Sequence, residues 1–263
     1  MKRGRSTHER RLYAESFAPW CEKARWALDH RELPYQIVEH VPLIGEPALR
    51  LAARRPFGRV TVPLLVDGPE IVMGSLEIAL RAERDGHGAP LFPRGREDEL
   101  AAWNERSEAV MVSGRAMLLA RMRESPDALA EQLPPFVPGA LRPALRGLAS
   151  AGVRHLERKY AIRAGEDAPH EATSRGALDA LRSALSGGRR YVVGDVFTHA
   201  DVAMATSLQF VLPVDGRYIA LGPATRAVWT NPTLARDYPD LLAWRDRLYA
   251  DHRAAPAVTT ARA

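Results

Sequence analysis

Two side chains in the first 75 residues occupy positions where protein structure can make them reactive or able to bind a ligand. Cys21 lies in the first turn of a predicted helix that opens at Pro19. Backbone N–H groups and the helix dipole at such a position lower the pKa of a thiol. Ser75 begins another predicted helix, where its hydroxyl, free N–H groups and the dipole suit a carboxylate. The alternatives are an inert buried cysteine and a plain helix cap.

Composition argues against several other kinds of site. The eight histidines form no H-x-x-x-H or H-E-x-x-H pair, and a single cysteine can build neither a zinc cluster nor an internal disulfide. The sequence has no Gly-rich phosphate loop of the P-loop type, and no apolar run of about 18 residues predicts a membrane span. We therefore expect no metal site and no membrane partner. The cysteine content fits a cytoplasmic protein.

The chain is mildly basic, with a formal net charge of +5. Its arginines are spread along the chain and stand beside acidic residues, as at 81–84 and 245–247. A nucleic-acid-binding surface would concentrate the arginines and interleave aromatic residues. We therefore expect solvated helix faces and no nucleic-acid partner, with a surface that helps to attract an anionic ligand.

The first 93 residues alternate between strand and helix patterns. Periodicity and turn residues predict strands at 11–16, 35–41, 62–66 and 71–73, and helices from Pro19, at 47–53 and at 75–84. The order β-α-β-α-β-β-α, with a tight Asp67-Gly68 turn between the last two strands, is typical of a mixed sheet covered by helices.

Strand patterns disappear after about residue 97. Helices are predicted at 97–124, 144–162, 174–185, 198–212 and 239–252, with a proline-rich break at 125–143 and an irregular segment at 213–233. The expected organisation is an α/β domain at 10–93, an all-helical domain at 97–252, and disordered tails at 1–9 and 254–263.

This order of elements and five local motifs resemble the glutathione S-transferase superfamily over about residues 11–252. The motifs are FAPWCEKARWAL at 17–28, TVPL at 61–64, Gly74-Ser75 followed by Ile78, GDVFTHAD at 194–201 and DYPDLLAW at 237–244. In the fourth motif, Thr198 and Asp201 have the spacing of a capping box, which is a folding device. The resemblance implies a thioredoxin-like four-stranded mixed sheet with helices, followed by an α-helical bundle domain.

The resemblance also implies a glutathione site in the first domain. Ser75 would bind the γ-glutamyl carboxylate. A cis Val62–Pro63 bond would present the N–H and C=O of Val62 to the cysteinyl part of the tripeptide. Arg59 either pairs with the glycine carboxylate or is a surface arginine, and Trp20 either flanks the cleft or packs in the core.

Two positions depart from the family pattern. In similar cysteine-type relatives the catalytic residue directly precedes the proline, where this chain has Ala18. Many relatives have an acidic residue, a partner for the ligand's ammonium group, where this chain has Gly74, and Glu77 is not an obvious replacement. Ser16, which ends the first strand, is the first candidate donor to a glutathione thiolate. Cys21 is the second, in the place of the second cysteine of a Cys-Pro-x-Cys motif.

Three functions therefore stay open. The first is a glutathione S-transferase that binds glutathione as a substrate and transfers it to a hydrophobic electrophilic small molecule, as in detoxification. The second, which Ala18 and Gly74 favour, is a catalytically silent glutathione-binding or interaction module. The third is thiol-disulfide or glutathionyl exchange through Cys21. The resemblance also implies a homodimer.

Overall fold

The computed structural model describes residues 10–133, 137–141, 144–162 and 167–254. The predicted tails lie outside the described residues, except for Ala254, which has no regular secondary structure. The chain divides into two compact units, Met1–Phe92 and Pro93–Ala263. Across the described part of the chain, no helix has the length and apolar character needed to cross a membrane. The same residues contain no cluster of three or more histidine, cysteine or acidic side chains suited to holding a metal ion.

The first unit contains a four-stranded mixed sheet. Its strands are β1 Arg11–Ala14, β2 Gln36–Glu39, β3 Leu64–Asp67 and β4 Glu70–Met73, in the order β2-β1-β3-β4. β1 runs parallel to β2 and antiparallel to β3, and β3 runs antiparallel to β4. Gly68, in the turn between β3 and β4, has a φ of 60°, which glycine adopts without a steric penalty. The predicted thioredoxin-like sheet is confirmed.

Three helices accompany this sheet. They are α1 Pro19–His30, α2 Glu46–Ala52 and α3 Ser75–Asp85. α1 packs against α3, and together they bury Cys21 and Ile78 in one cluster with Leu12 of β1. A second cluster forms around Leu49 of α2, and Tyr13 of β1 packs against it. Because successive side chains of a strand point to opposite faces, Leu12 and Tyr13 place the two clusters on opposite sides of the sheet.

A charged cluster ties α3 to the β3–β4 hairpin. The Arg81 guanidinium, 9% exposed, donates to Asp67 at 2.8 Å and also contacts Glu70 and Asp85. Arg10 donates to the same Asp67 carboxylate at 2.8 Å. Because buried charges are costly unless paired, these contacts hold α3 in one position against the hairpin.

The described residues of the second unit form helices and connecting turns. The helices are α4 Glu97–Arg123, α5 Pro126–Glu131, α6 Arg146–Lys159, α7 Asp167–Ala184, α8 His199–Ser207, α9 Pro223–Trp229, α10 Pro232–Asp237 and α11 Pro239–His252. α4 packs against both α7 and α8. The expectation of an irregular segment at 213–233 is wrong in part, because α9 and the start of α10 lie there. Both helices open at a proline, which suits a first helical turn as well as it suits a loop.

α8 begins with the predicted capping box. The Thr198 N–H and hydroxyl donate to Asp201 Oδ2 at 2.8 and 2.9 Å, and the Val192 N–H donates to Asp201 Oδ1 at 2.8 Å. Asp201 is fully buried. Desolvation raises the pKa of its carboxyl to about 6, because burial outweighs the three donated bonds. This carboxylate therefore joins the start of α8 to the segment that precedes it.

Candidate functional site

The β3–β4 hairpin places the Val62–Pro63 step beside the start of α3. Leu64 pairs with Met73, and next to this pair the Gly74 N–H donates to the Pro63 carbonyl at 3.1 Å. The Val62–Pro63 bond is cis, so this expectation is confirmed. Among the described residues, no hydrogen bond engages the backbone N–H or C=O of Val62, which is half-buried. An extended chain can therefore pair with this backbone edge.

Ser75 is the first residue of α3, and Gly74 occupies the capping position. Ser75 therefore does not cap the helix as predicted. It is 4% exposed, yet within the described chain its hydroxyl has no hydrogen-bond partner. The first N–H groups of a helix lack intrahelical acceptors, and no side chain caps them here. An unpaired, nearly buried hydroxyl at the positive end of a helix dipole is suited to a carboxylate.

The backbone conformation at residue 74 favours glycine over the acidic residue that many relatives have there. Its φ is 109°, which side-chain-bearing residues rarely adopt. A Cβ at residue 74 would also overlap the carboxylate of Glu77, whose side chain folds back over the helix start. Glu77 is exposed to solvent. A carboxylate therefore lies at this helix end, supplied by Glu77 three residues further along α3.

Ser16 lies in the exposed loop between β1 and α1, and all of its polar groups are engaged. Its N–H donates to Glu39 Oε1 at 3.0 Å, and its hydroxyl donates to Glu39 Oε2. Arg25 Nη2 donates to the Ser16 carbonyl at 2.7 Å and pairs with Glu22 at 2.6 Å. In this arrangement the Ser16 hydroxyl proton is directed at a carboxylate and away from any ligand.

Cys21 is fully buried in the cluster that also contains Leu12. Its sulfur accepts a hydrogen bond from the Glu15 N–H at 3.4 Å. Burial raises the pKa of the Cys21 thiol, and the charge of Glu15 raises it further. The expectation of a lowered pKa is therefore wrong, because desolvation outweighs the helix dipole.

The remaining candidates differ in their burial. Ala18 caps α1 without a side-chain hydrogen bond, and both Ala18 and Val62 pack against the cluster around Cys21. Trp20 is half-buried in the first turn of α1, and Arg59 is exposed in the loop that leads to Val62. Ala18 at the start of α1 and Val62 therefore both pack against one hydrophobic cluster.

Sequence reasoning missed Glu39 and Arg25. Glu39 reaches Ser16 because β1 and β2 are parallel in a register that pairs Ala14 with Glu39. Glu39 was an ordinary polar residue of a predicted strand, and Arg25 one arginine of an amphipathic helix. Their spacing along the chain carried no signal of a shared contact.

Sequence models of known domains and solved structures were compared with the chain. Residues 12–89 match the glutathione S-transferase N-terminal domain, and residues 101–247 match the glutathione S-transferase C-terminal domain. No curated protein matches the chain.

Three solved structures illustrate the structural likeness. Glutathione transferase GSTFuA2 from Phanerochaete chrysosporium is 17% identical, with a TM-score of 0.60 over 95% of this chain and 100% of that chain. A glutathione S-transferase from Methylobacillus flagellatus with glutathione bound is 16% identical, with a TM-score of 0.56 over 92% and 95%. Leishmania TDR1, a trimeric glutathione transferase, is 20% identical, with a TM-score of 0.57 over 93% of this chain but 44% of that chain. These identities show a shared fold, and the two domain matches show that the chain belongs to the glutathione S-transferase superfamily.

Proposed function

We propose that this chain binds glutathione in its N-terminal unit and transfers it to a hydrophobic electrophilic small molecule. The observation that carries the proposal is the unpaired backbone edge of Val62 beside the unpaired Ser75 hydroxyl at the start of α3. A peptide with a carboxylate at one end satisfies both groups at once. The glutathione bound to the Methylobacillus flagellatus relative supports this choice of peptide.

Each part of glutathione has a partner in this proposal. The cysteinyl backbone pairs with Val62, and the γ-glutamyl carboxylate accepts bonds from Ser75 and the first N–H groups of α3. The γ-glutamyl ammonium pairs with Glu77, whose carboxylate lies at the same helix end. Arg59 pairs with the glycine carboxylate, and Trp20 flanks the thiol. Two of these protein partners, Glu77 and Arg59, are charged, so binding weakens as the salt concentration rises.

The proposed reaction is the attack of the glutathione sulfur on an electrophilic carbon. The sulfur lone pair forms the new S–C bond, the thiol proton passes to solvent, and the leaving group departs with the electron pair of its bond to carbon. In this proposal the positive end of the α1 dipole stabilises the thiolate, and the Ser16 hydroxyl adds a hydrogen bond only once it is released from Glu39. The proposal includes a cytoplasmic homodimer that acts in detoxification, and light scattering after size-exclusion chromatography tests the dimer.

A catalytically silent glutathione-binding module is the second candidate. Two observations favour it: Ala18 has no reactive side chain at the usual catalytic position, and the Ser16 hydroxyl is bound to Glu39. Thiol-disulfide exchange through Cys21 is disfavoured, because the thiol is fully buried.

Retention on immobilised glutathione, combined with turnover of a chloronitrobenzene electrophile, separates these candidates. Retention with turnover supports the transferase, and retention without turnover supports the module. If the chain shows neither, the proposal is wrong.

Isothermal calorimetry of Ser75→Ala tests the site itself. Because a hydrogen bond to a charged group contributes about 1.5–3 kcal/mol, the glutathione Kd is expected to rise by about tenfold or more. Ser183→Ala, an exposed serine of α7, is the matched control and leaves the Kd unchanged. An unchanged Kd for Ser75→Ala would remove Ser75 from the site.

A further inference from the structure

Ser16 and Glu39 form a closed hydrogen-bonded pair. Both oxygens of Glu39 accept from Ser16, one from the N–H at 3.0 Å and the other from the hydroxyl. The parallel register that pairs Ala14 with Glu39 holds the two residues together. Arg25 of α1 donates to the Ser16 carbonyl at 2.7 Å, which holds the backbone of the loop beside Glu39.

The single hydroxyl proton of Ser16 has two competing acceptors when a thiol is bound nearby. A bond to a carboxylate is strong because the acceptor is charged. To donate to a thiolate instead, the hydroxyl must leave Glu39, and the carboxylate then keeps only the Ser16 N–H as a donor while it lies near a second negative charge. While Glu39 retains the hydroxyl, the thiolate lacks this donor and lies near a like charge, and both effects raise the pKa of the bound thiol.

The other charged groups around this loop do not reverse the effect. Arg25 pairs with the buried Glu22 at 2.6 Å, which offsets part of its positive charge. Glu15 adds a second carboxylate to the loop. Cys21 lies in the same local electrostatic field, and its sulfur accepts the Glu15 N–H. Burial is the largest cause of its raised pKa. The charges of Glu15 and Glu39 raise the pKa further, and the charge of Arg25 lowers it.

We infer that Glu39 is a positioning residue that withholds the Ser16 hydroxyl and so keeps a thiol bound at the β1–α1 loop in its protonated form. This inference rests on the proposed glutathione site. It means that conjugation is slow at neutral pH, accelerates at alkaline pH as the thiol ionises, and favours electrophiles reactive enough to need little thiolate. Neutralising Glu39 frees the hydroxyl and activates the site.

The test measures the thiolate absorbance of bound glutathione across a pH series. Its proteins are the wild type, Glu39→Gln, Ser16→Ala, the double variant and the control Glu32→Gln, which changes an exposed carboxylate at the end of α1. In Glu39→Gln the thiol pKa is expected to fall by about 0.5–1 unit, which gives roughly three- to tenfold more thiolate and the same gain in kcat/KM near neutral pH. Ser16→Ala changes little in the wild-type background but removes part of the gain in the Glu39→Gln background. Glu32→Gln leaves the thiol pKa unchanged.

Two results would overturn the inference. One is an unchanged thiol pKa in Glu39→Gln, and the other is an equal fall in the double variant, which would leave Ser16 without a role. If Glu39→Gln does not fold, the wild-type protein decides alone, because the inference requires a bound-thiol pKa no lower than that of free glutathione in the same buffer. Calorimetry distinguishes failure of the proposed function from failure of this inference. Absence of glutathione binding to the wild type refutes the proposed function, whereas binding with a lowered thiol pKa refutes only the role of Glu39.

Discussion

Replacing Cys21 with alanine separates a structural thiol from a catalytic one. The cysteine is fully buried, and its sulfur accepts the Glu15 N–H at 3.4 Å. Loss of the buried sulfur costs about 1 kcal/mol. Loss of the acceptor for a backbone N–H costs about 1 kcal/mol more. We therefore expect Cys21→Ala to lower the free energy of unfolding by about 2 kcal/mol and to leave turnover per folded molecule unchanged.

The pH dependence of this difference follows from the raised thiol pKa. The folded pKa lies above the unfolded value, so the stability contributed by the neutral thiol is complete below the unfolded pKa of about 8.5. That contribution is lost as the pH rises towards the folded value. Urea unfolding of both proteins should therefore show a gap that is constant near neutral pH and narrows in alkaline buffer.

Thiol labelling gives an independent measure of the same burial. A reagent reaches Cys21 only when the unit opens, and an opening free energy of about 5 kcal/mol slows labelling by roughly 10³–10⁴-fold relative to the unfolded chain. Labelling in denaturant provides the reference rate. Rapid labelling of the native protein, or loss of turnover in a folded Cys21→Ala variant, would refute a purely structural role for Cys21. Either result would support the hypothesis of thiol-disulfide exchange through Cys21.

Two further predictions concern carboxylates of the second unit, the buried Asp201 and the half-buried Glu131. In Asp201→Asn the amide nitrogen cannot accept a hydrogen bond, whereas both oxygens of the protonated carboxyl can, so unfolding becomes easier by about 1–3 kcal/mol at acidic pH. Because the folded pKa is raised to about 6, the free energy of unfolding of the wild type falls as the pH rises through that value. The difference in stability between the wild type and the variant therefore shrinks near neutral pH. A difference that does not depend on pH would contradict this prediction. Glu131 accepts the N–H groups of Ala224 and Thr225 at 3.1 and 2.7 Å, and its hydrogen bonds hold its pKa below the usual value although burial opposes them. Glu131→Gln is therefore expected to lower the free energy of unfolding by about 0.5–1.5 kcal/mol at pH values above the unfolded pKa, and by progressively less as the pH falls below it. Thermal melts of both proteins across a pH series measure this loss. A loss of the same size in acid would show that it does not come from the ionised carboxylate.

Much of the fold could be predicted because its signals are local. The Asp67-Gly68 turn, the proline that opens α1 and the capping box at Thr198 each act over a few residues, and all three are present in the structure. The same local signals misled at 213–233, where prolines open helices and do not interrupt them. A proline specifies a restricted φ and a missing N–H, which fit a helix start and a loop equally well.

The candidate site was predictable only in outline. Ser75 and Val62 could be chosen because a helix start and an X-Pro step are visible in the sequence, and their proximity follows from the hairpin. The ionisation of Cys21 could not be predicted, since it depends on how deeply the first turn of α1 is buried. Burial is a property of the packed unit and not of a seven- or eight-residue segment.

Residue order alone therefore predicted an α/β unit followed by helices, and the family resemblance added the prediction that Val62 and Ser75 bind a thiol-bearing tripeptide. The contact between Ser16 and Glu39, 23 residues apart, required the parallel pairing of β1 and β2. The place of the Glu77 carboxylate against Gly74 required a particular side-chain direction on α3. Periodicity and capping depend on neighbours along the chain, whereas the electrostatic field at a site depends on neighbours in space, and folding alone brings those together.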